Sequence, residues 1–309
     1  LSGWLVTGAG GMLGRDVCAV LAEAGVPALR FERRDLDLAD EDAVTRVLLR
    51  ARPSVVVNCA AWTDVDGAER DEEGAWRANA HGVRVLASAC AGAGSRLLHV
   101  STDYVFSGDA DTPYAEDAAP APRSAYGRSK LAGERAVLER LPHSGAVVRT
   151  AWLYGAHGGN FVRTMAGRAA AGSTCDVVDD QYGQPTWTRE VAGRLLALGR
   201  LPARAATGVF HATCGGTATW YGLAREVYTL CGADPALVRP MGSEALRRPA
   251  PRPSWSVLGH GRWAGAGEPP PAHWRDVLVR AVPSVVGGGR GDRDGRQEGT
   301  AAESSRRGN

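Results

Sequence analysis

Tyr126 and Lys130 stand four residues apart in Tyr126-Gly127-Arg128-Ser129-Lys130, a spacing that puts a phenol and an amine on one face of a helix. Both can then reach a single reacting carbonyl. Of the 36 lysine and arginine residues, Lys130 is the one lysine. Where arginine serves for every other positive charge, the surviving lysine points to a task for a compact cation that guanidinium does not perform. A free phenol titrates near ~10, and a neighbouring ammonium is expected to lower that value and ease proton loss to a developing alkoxide. The same spacing also suits a solvated surface pair, so the reading depends on a scaffold that brings a substrate to it.

Near the start of the chain, Trp4-Leu5-Val6-Thr7 is an apolar run that passes into Gly8-Ala9-Gly10-Gly11-Met12-Leu13-Gly14, with Val17, Val20 and Leu21 then recurring at helical spacing. This predicts a strand, a glycine turn and a helix, with Gly8, Gly11 and Gly14 letting the backbone approach a dinucleotide pyrophosphate at the helix N-terminus. Ala28-Leu29-Arg30-Phe31 reads as the second strand, whose end carries the residue that reads the adenosine ribose. That place is basic: Arg30, with Arg33 and Arg34 behind it, suits a 2′-phosphate and so favours NADPH, while Glu32 keeps NADH possible. Asp37-Leu38 is positioned to meet the adenine, although Asp40 as a helix cap explains the local acidity equally well. Val55-Val56-Val57 predicts a third strand, ending in Asn58-Cys59-Ala60-Ala61-Trp62-Thr63, and Leu97-Leu98-His99-Val100 a fourth, ending in Ser101-Thr102-Asp103. Asp66, Glu69 and Asn79 supply further polar groups that either line the crevice or brace it. The pattern is α/β, a Rossmann-type doubly wound parallel sheet.

With 309 residues and 44% hydrophobic content, the chain can hold one large α/β domain and a smaller one. Its net charge of +2 gives no electrostatic footprint for nucleic acid or an anionic membrane, so a small-molecule partner is expected. Six cysteines without a Cys-x-x-Cys pair and seven histidines without metal-ligand spacing predict free thiols, a reducing compartment and no catalytic metal. No apolar run reaches the length of a membrane span, and the apolar start at Leu5-Val6 is broken at once by glycines, so a cytoplasmic location is expected.

Together the motifs resemble the dTDP-4-dehydrorhamnose reductase family of the extended short-chain dehydrogenase/reductase superfamily. Beyond the glycine turn, the likeness rests on residues 58–66, Ser101 to Phe106, Tyr126 to Glu134, Arg149 to Gly155, Gly159-Asn160-Phe161, Asp180 to Thr186 and Arg252-Pro253. The resemblance implies a smaller carboxyl-terminal substrate-binding domain and reduction of the 4-keto group of a dTDP-linked keto-deoxysugar by NADPH or NADH. It further implies that Tyr126, Lys130 and Thr102 are catalytic, with Gly11, Met12 and Leu13 against the pyrophosphate and Ala60, Ala61 and Trp62 beside the nicotinamide. Thr102, Asp103, Trp152, Asn160, Gln184 and Arg252 would contact the sugar nucleotide, with core packing for Trp152 and helix capping for Arg252 as the plain alternatives. Some members hold a magnesium ion at a dimer interface; Arg15 stands at one of those positions here, which predicts a monomer or weak homodimer without that ion. The same motifs would serve a dihydrostreptose-forming relative in aminoglycoside antibiotic biosynthesis. A sugar-nucleotide dehydratase or epimerase shares the scaffold, but Tyr104 follows Asp103 where dehydratases place a glutamate. A non-catalytic NADP-binding regulatory subunit would tend to lose Tyr126 or Lys130.

Residues 1–148 are expected to form the dinucleotide-binding domain, 149–286 mainly the substrate domain with segments returning to the sheet, and 287–309 a disordered tail of glycine, arginine and aspartate. Helices are predicted over 162–171, 190–198 and 221–230. A last one should start at His273 and end before Pro283.

Overall fold

The computed structural model describes residues 3–287. Its core is a six-stranded, all-parallel sheet in the order β10-β5-β4-β3-β1-β2, built from β1 (Trp4–Thr7), β2 (Ala28–Phe31), β3 (Val55–Asn58), β4 (Arg96–Thr102), β5 (Gly145–Thr150) and β10 (Gly208–His211). Between them run α1 (Met12–Glu23), α2 (Glu41–Ala51), α3 (Val65–Arg70), α4 (Glu72–Trp76), α5 (Gly82–Ala93) and α6 (Ala125–Arg140). The central strands are wholly buried because both faces are covered, so β1 and β3 read as continuous apolar runs. Val6, Val57, Leu98 and Val148 pack with Leu13, Val17 and Leu21 of α1 and with Val191, Leu195 and Leu198 on one face. On the other, Leu5, Val56, Leu97 and Val147 meet Val44 and Leu48 of α2, Val83 and Leu86 of α5 and Val137 of α6.

The second half adds β6 (Leu153–Tyr154), α7 (Phe161–Ala170), β7 (Cys175–Val178), β8 (Tyr182–Gly183), β9 (Thr186–Trp187), α8 (Thr188–Arg200), β11 (Ala218–Thr219), α9 (Trp220–Leu230), β12 (Val238–Met241), α10 (Gly261–Gly265) and α11 (Trp274–Gly287). Helices α7, α9 and α11 enclose a second core around Val162, Tyr228 and Trp274. The main sheet nevertheless extends beyond residue 148: β5 runs to Thr150, β10 adds the edge strand, and α8 lies against α1.

One helix departs from expectation. Instead of stopping before Pro283, α11 continues to Gly287 with the proline inside it. The hydrogen bond that proline cannot donate would have gone to Val279, on the exposed side of the helix, while Val282 and Val285 stay buried in the second core. Nearly all of the expected tail, residues 288–309, lies outside the described residues. Among the described residues, no helix is long and apolar enough to cross a membrane.

Candidate functional site

A groove of about 1420 Å³ opens along the carboxyl ends of β1, β3, β4 and β5 and continues between the two lobes, the usual ligand position in an open α/β sheet. At its near end lies the glycine turn. Gly8 has φ +67°, and a Cβ there would stand 2.5 Å from the Ala60 amide nitrogen; a Cβ on Gly14 would meet the Gly8 carbonyl oxygen at 2.1 Å. Only glycine lets β1, the end of β3 and α1 converge this closely. Gly14 therefore packs the helix onto the turn and does not itself line the groove, whereas Gly8, Gly11, Met12 and Leu13 do. Gly11 caps α1 without a side chain, and the first turn carries no acid, so the amides at the helix's positive end remain available to an anion. The fit to a dinucleotide pyrophosphate rests on this bare helix end. Arg15 folds back, its Nε donating to the Gly10 carbonyl at 3.0 Å.

Arg30 is not part of the groove. It pairs in register with Val6, a residue of the α1-facing core, so strand alternation turns its side chain toward α1, where its charge acts on Cys18. Glu32 and Arg33, just beyond the strand, line the groove instead. Asp37 and Leu38 also line it, with Asp37 paired to Arg77 at 2.7 Å. Asp40 caps α2 by accepting from the Ala43 amide.

Ala60, Ala61 and Trp62 form the next part of the wall. They are held from behind by two buried asparagines. Asn58 accepts from the Thr7 hydroxyl at 2.7 Å and the Ala60 amide at 3.1 Å. Asn79 accepts from the Trp62 amide at 2.9 Å and donates to the Trp62 carbonyl and the Ser129 hydroxyl. Asn79 occupies a π-helical turn, Arg77–His81, between α4 and α5; it braces the loop against α6 and does not line the crevice.

Tyr126 and Lys130 project from α6, whose start is fixed by Ser124 accepting from the Gly127 amide. Both line the groove, as do Thr102 and Asp103. Thr102 favours ionisation of the Tyr126 phenol, but burial is the larger influence and pushes its pKa up to about 12, with the Asp103 charge adding to the rise. This corrects the expectation that a neighbouring ammonium lowers the phenol's pKa: the cost of a buried phenolate dominates. Lys130, 2% exposed, donates to the Val100 carbonyl at 2.7 Å. Burial lowers its pKa to about 8, against the opposing pull of Glu134, which forms a buried bidentate pair with Arg149 at 2.9 and 2.7 Å. Asp103 accepts from the Thr102 hydroxyl at 2.9 Å, and burial raises its pKa to about 6. A protonated phenol and a cationic amine thus face one crevice at neutral pH.

In the second lobe the wall is aromatic. Trp152 adopts φ +48°, and its indole stacks on Trp220 with centroids 3.6 Å apart and planes 8° from parallel. Arg252 lines the groove while bound to Asp66 at 2.8 Å. Asn160 and Gln184 do not line it. Asn160 caps α7, accepting from the Arg163 amide and donating to the Gly155 carbonyl. Gln184, fully buried, accepts from the Leu258 amide and the Thr213 hydroxyl and donates to the Leu258 carbonyl. Each amide is consumed by local structure. Arg77, Arg168, Gln181, Trp220 and Arg248 line the groove as well; Gln181 stands inside the segment from Asp180 to Thr186, while nothing local in the sequence marks Trp220.

Residues 3–286 match the family model described as RmlD substrate binding domain. Among similar relatives, a "dTDP-4-keto-6-deoxy-D-glucose reductase" of Streptomyces niveus is 50% identical over 91% of this chain and 96% of its own. A "dTDP-4-dehydrorhamnose reductase" of Streptomyces griseus is 52% identical over 92% of this chain and 94% of its own. A solved dTDP-4-dehydrorhamnose reductase from Bacillus anthracis, in complex with NADP, superposes with a TM-score of 0.87 at 33% identity, covering 91% of this chain and 99% of that one.

Proposed function

Because this chain belongs to the RmlD substrate binding domain family, we propose that it is an NADPH-dependent reductase of the 4-keto group of a dTDP-4-dehydro-6-deoxyhexose. The observation that carries this reading is the convergence of Thr102, Tyr126 and Lys130 on the groove that begins at the glycine turn and ends at Trp152 and Arg252. The names of the Streptomyces relatives and the NADP-bound Bacillus anthracis structure support it.

Gly8, Gly11, Met12 and Leu13 would hold the dinucleotide pyrophosphate, Asp37 and Leu38 the adenine, and Ala60 to Trp62 the nicotinamide side. When bound, the reduced nicotinamide supplies the hydride. Tyr126, kept protonated by burial, delivers the proton that the carbonyl oxygen needs as negative charge grows there. Thr102 orients the phenol, and its own hydroxyl is oriented by Asp103. Lys130 spends one N–H on Val100, leaving two donors for the ribose and for the phenolate left behind. Arg252, anchored by Asp66, and Arg248 present guanidinium groups suited to the sugar diphosphate.

An eliminating dehydratase is disfavoured by Tyr104. Its ring meets the Tyr126 ring edge-on at 5.6 Å, and burial pushes its hydroxyl pKa further up, so the position following Asp103 holds no carboxylate to abstract a proton. The six free cysteines support a reducing, cytoplasmic setting.

The test incubates the protein with NADPH and, separately, the D-xylo and L-lyxo isomers of a dTDP-4-keto-6-deoxyhexose, following cofactor absorbance and identifying the product by NMR. Stoichiometric NADPH consumption with a 4-hydroxyl product supports the assignment. No consumption with either isomer overturns it, and the preferred isomer assigns the sugar.

A further inference from the structure

We propose that Trp220 is a positioning residue, holding the Trp152 indole in the left-handed backbone conformation that shapes the sugar end of the groove. The inference rests on the proposed keto-sugar reductase function. A bulky residue at φ +48° is unusual and persists only where its surroundings fix it. Two supports do so here. A Cβ on Gly183 would lie 2.4 Å from the Trp152 ring, so the indole occupies space that only glycine leaves open. Trp220 supplies the parallel stacking surface, and Phe161 leans on Trp220 in turn, centroids 4.8 Å apart.

The supports belong to one small unit. Gly183 pairs with Ala218, and Tyr182 with Thr219, in the antiparallel β8–β11 ladder. Thr219 caps α9 by accepting from the Gly222 amide, and its hydroxyl donates to Asp179 at 2.6 Å. Trp220 is the first residue of that helix, so its ring is set by the same ladder that presents Gly183. Trp152, Phe161 and Trp220 all border the groove and are only partly buried, which distinguishes this stack from a sealed core contact. A sugar ring with an apolar 6-methyl group and few hydroxyls on that side is the substrate class such a wall receives.

The experiment compares wild-type protein with Trp220→Phe, which keeps an aromatic, and Trp220→Leu, which removes it. Four quantities are measured: the exciton couplet of the stacked indoles in circular dichroism, NADPH affinity, and KM and kcat for the dTDP-4-keto-6-deoxyhexose. Trp220→Leu should lose the couplet and raise KM about tenfold with NADPH affinity unchanged, while Trp220→Phe loses the couplet but recovers most of the KM. An unchanged KM in an active Trp220→Leu protein, or a parallel loss of NADPH affinity, would overturn the assignment while leaving the reductase reading intact. A wild-type protein that consumes no NADPH would remove both.

Discussion

Tyr126 and Lys130 rise from successive turns of α6, yet burial moves their titrations apart: the phenol up to about 12, the ammonium down to about 8. Both shifts have the same cause, since a low-dielectric site penalises whichever form carries charge. At neutral pH the acid keeps its proton and the amine keeps its charge. The vulnerable member is the lysine.

The dependence of kcat/KM on pH should therefore fall as pH rises through about 8, where free Lys130 loses its proton. In Lys130→Arg, whose guanidinium stays charged, this limb should flatten while the absolute rate drops, because a planar fork cannot place its donors as an ammonium does. A wild-type profile level to pH 10 would remove Lys130 from that role.

Tyr126→Phe should lower turnover by ~10²–10⁴, the usual worth of a positioned proton donor, with NADPH affinity unchanged. Tyr126 and Thr102 both line the groove. Single-turnover kinetics together with cofactor titration separate the two quantities. Near-normal turnover would reassign the proton to another group.

Much of this site could be read from the chain because parallel strands buried on both faces leave apolar runs whose ends are marked by small or polar residues. Thr7-Gly8, Asn58 to Trp62 and Ser101 to Asp103 are such ends, and each borders or braces the groove. The limits were physical. Arg30 lies within a motif region, but strand alternation points it to the wrong face, which the residue type does not reveal. Asn160 and Gln184 belong to the Gly159-to-Phe161 and Asp180-to-Thr186 segments, yet their amides bond to backbone, a pairing that depends on tertiary geometry. Trp220 stacks on a residue far upstream. The high pKa of Tyr126 likewise follows from burial depth, which spacing does not encode.

Lys130→Met should make the free protein more stable while inactivating it. The depression from 10.5 to about 8 corresponds to about 3 kcal/mol of penalty for the buried charge, against about 1 kcal/mol for the lost bond to Val100. Glu134 retains Arg149 as its partner, so the substitution strands no charge. The sign follows from proton counts: between pH 8 and 10.5 the unfolded chain holds more protons than the native state, so wild-type stability gains with rising pH there. The advantage of the variant, measured by denaturant unfolding, should be about 2 kcal/mol at pH 7 and should shrink toward pH 10. A variant less stable at pH 7 would contradict it.

Cofactor choice should follow Arg33. Arg33→Ala is expected to weaken NADPH binding by about tenfold or more, the worth of a charge-assisted phosphate contact, and to leave NADH nearly untouched. Arg30→Ala should change neither, because that side chain faces α1. Calorimetric titration with both nucleotides decides it, and an equal loss of both on Arg33→Ala would rule out 2′-phosphate recognition there.

Asp103→Asn probes the carboxylate behind Thr102. One of its oxygens accepts from the Thr102 hydroxyl, and Ser256 also favours the ionised form, but burial outweighs both and raises the group from 3.8 to about 6. Ionised Asp103 therefore costs the native state up to about 3 kcal/mol at pH 7 and above. Below pH 4 both native and unfolded forms are protonated, and the cost disappears. An asparagine keeps an acceptor for Thr102 but buries amide hydrogens, at a cost of about 1–2 kcal/mol. Its net gain should be about 1 kcal/mol at pH 8 and should turn to a loss below pH 4, as read by denaturant midpoints at the two values. Turnover should fall less than in Tyr126→Phe, since the Thr102 hydroxyl stays oriented. If the variant is instead least stable at pH 8, the ionised carboxylate is a net stabilising element of the free protein.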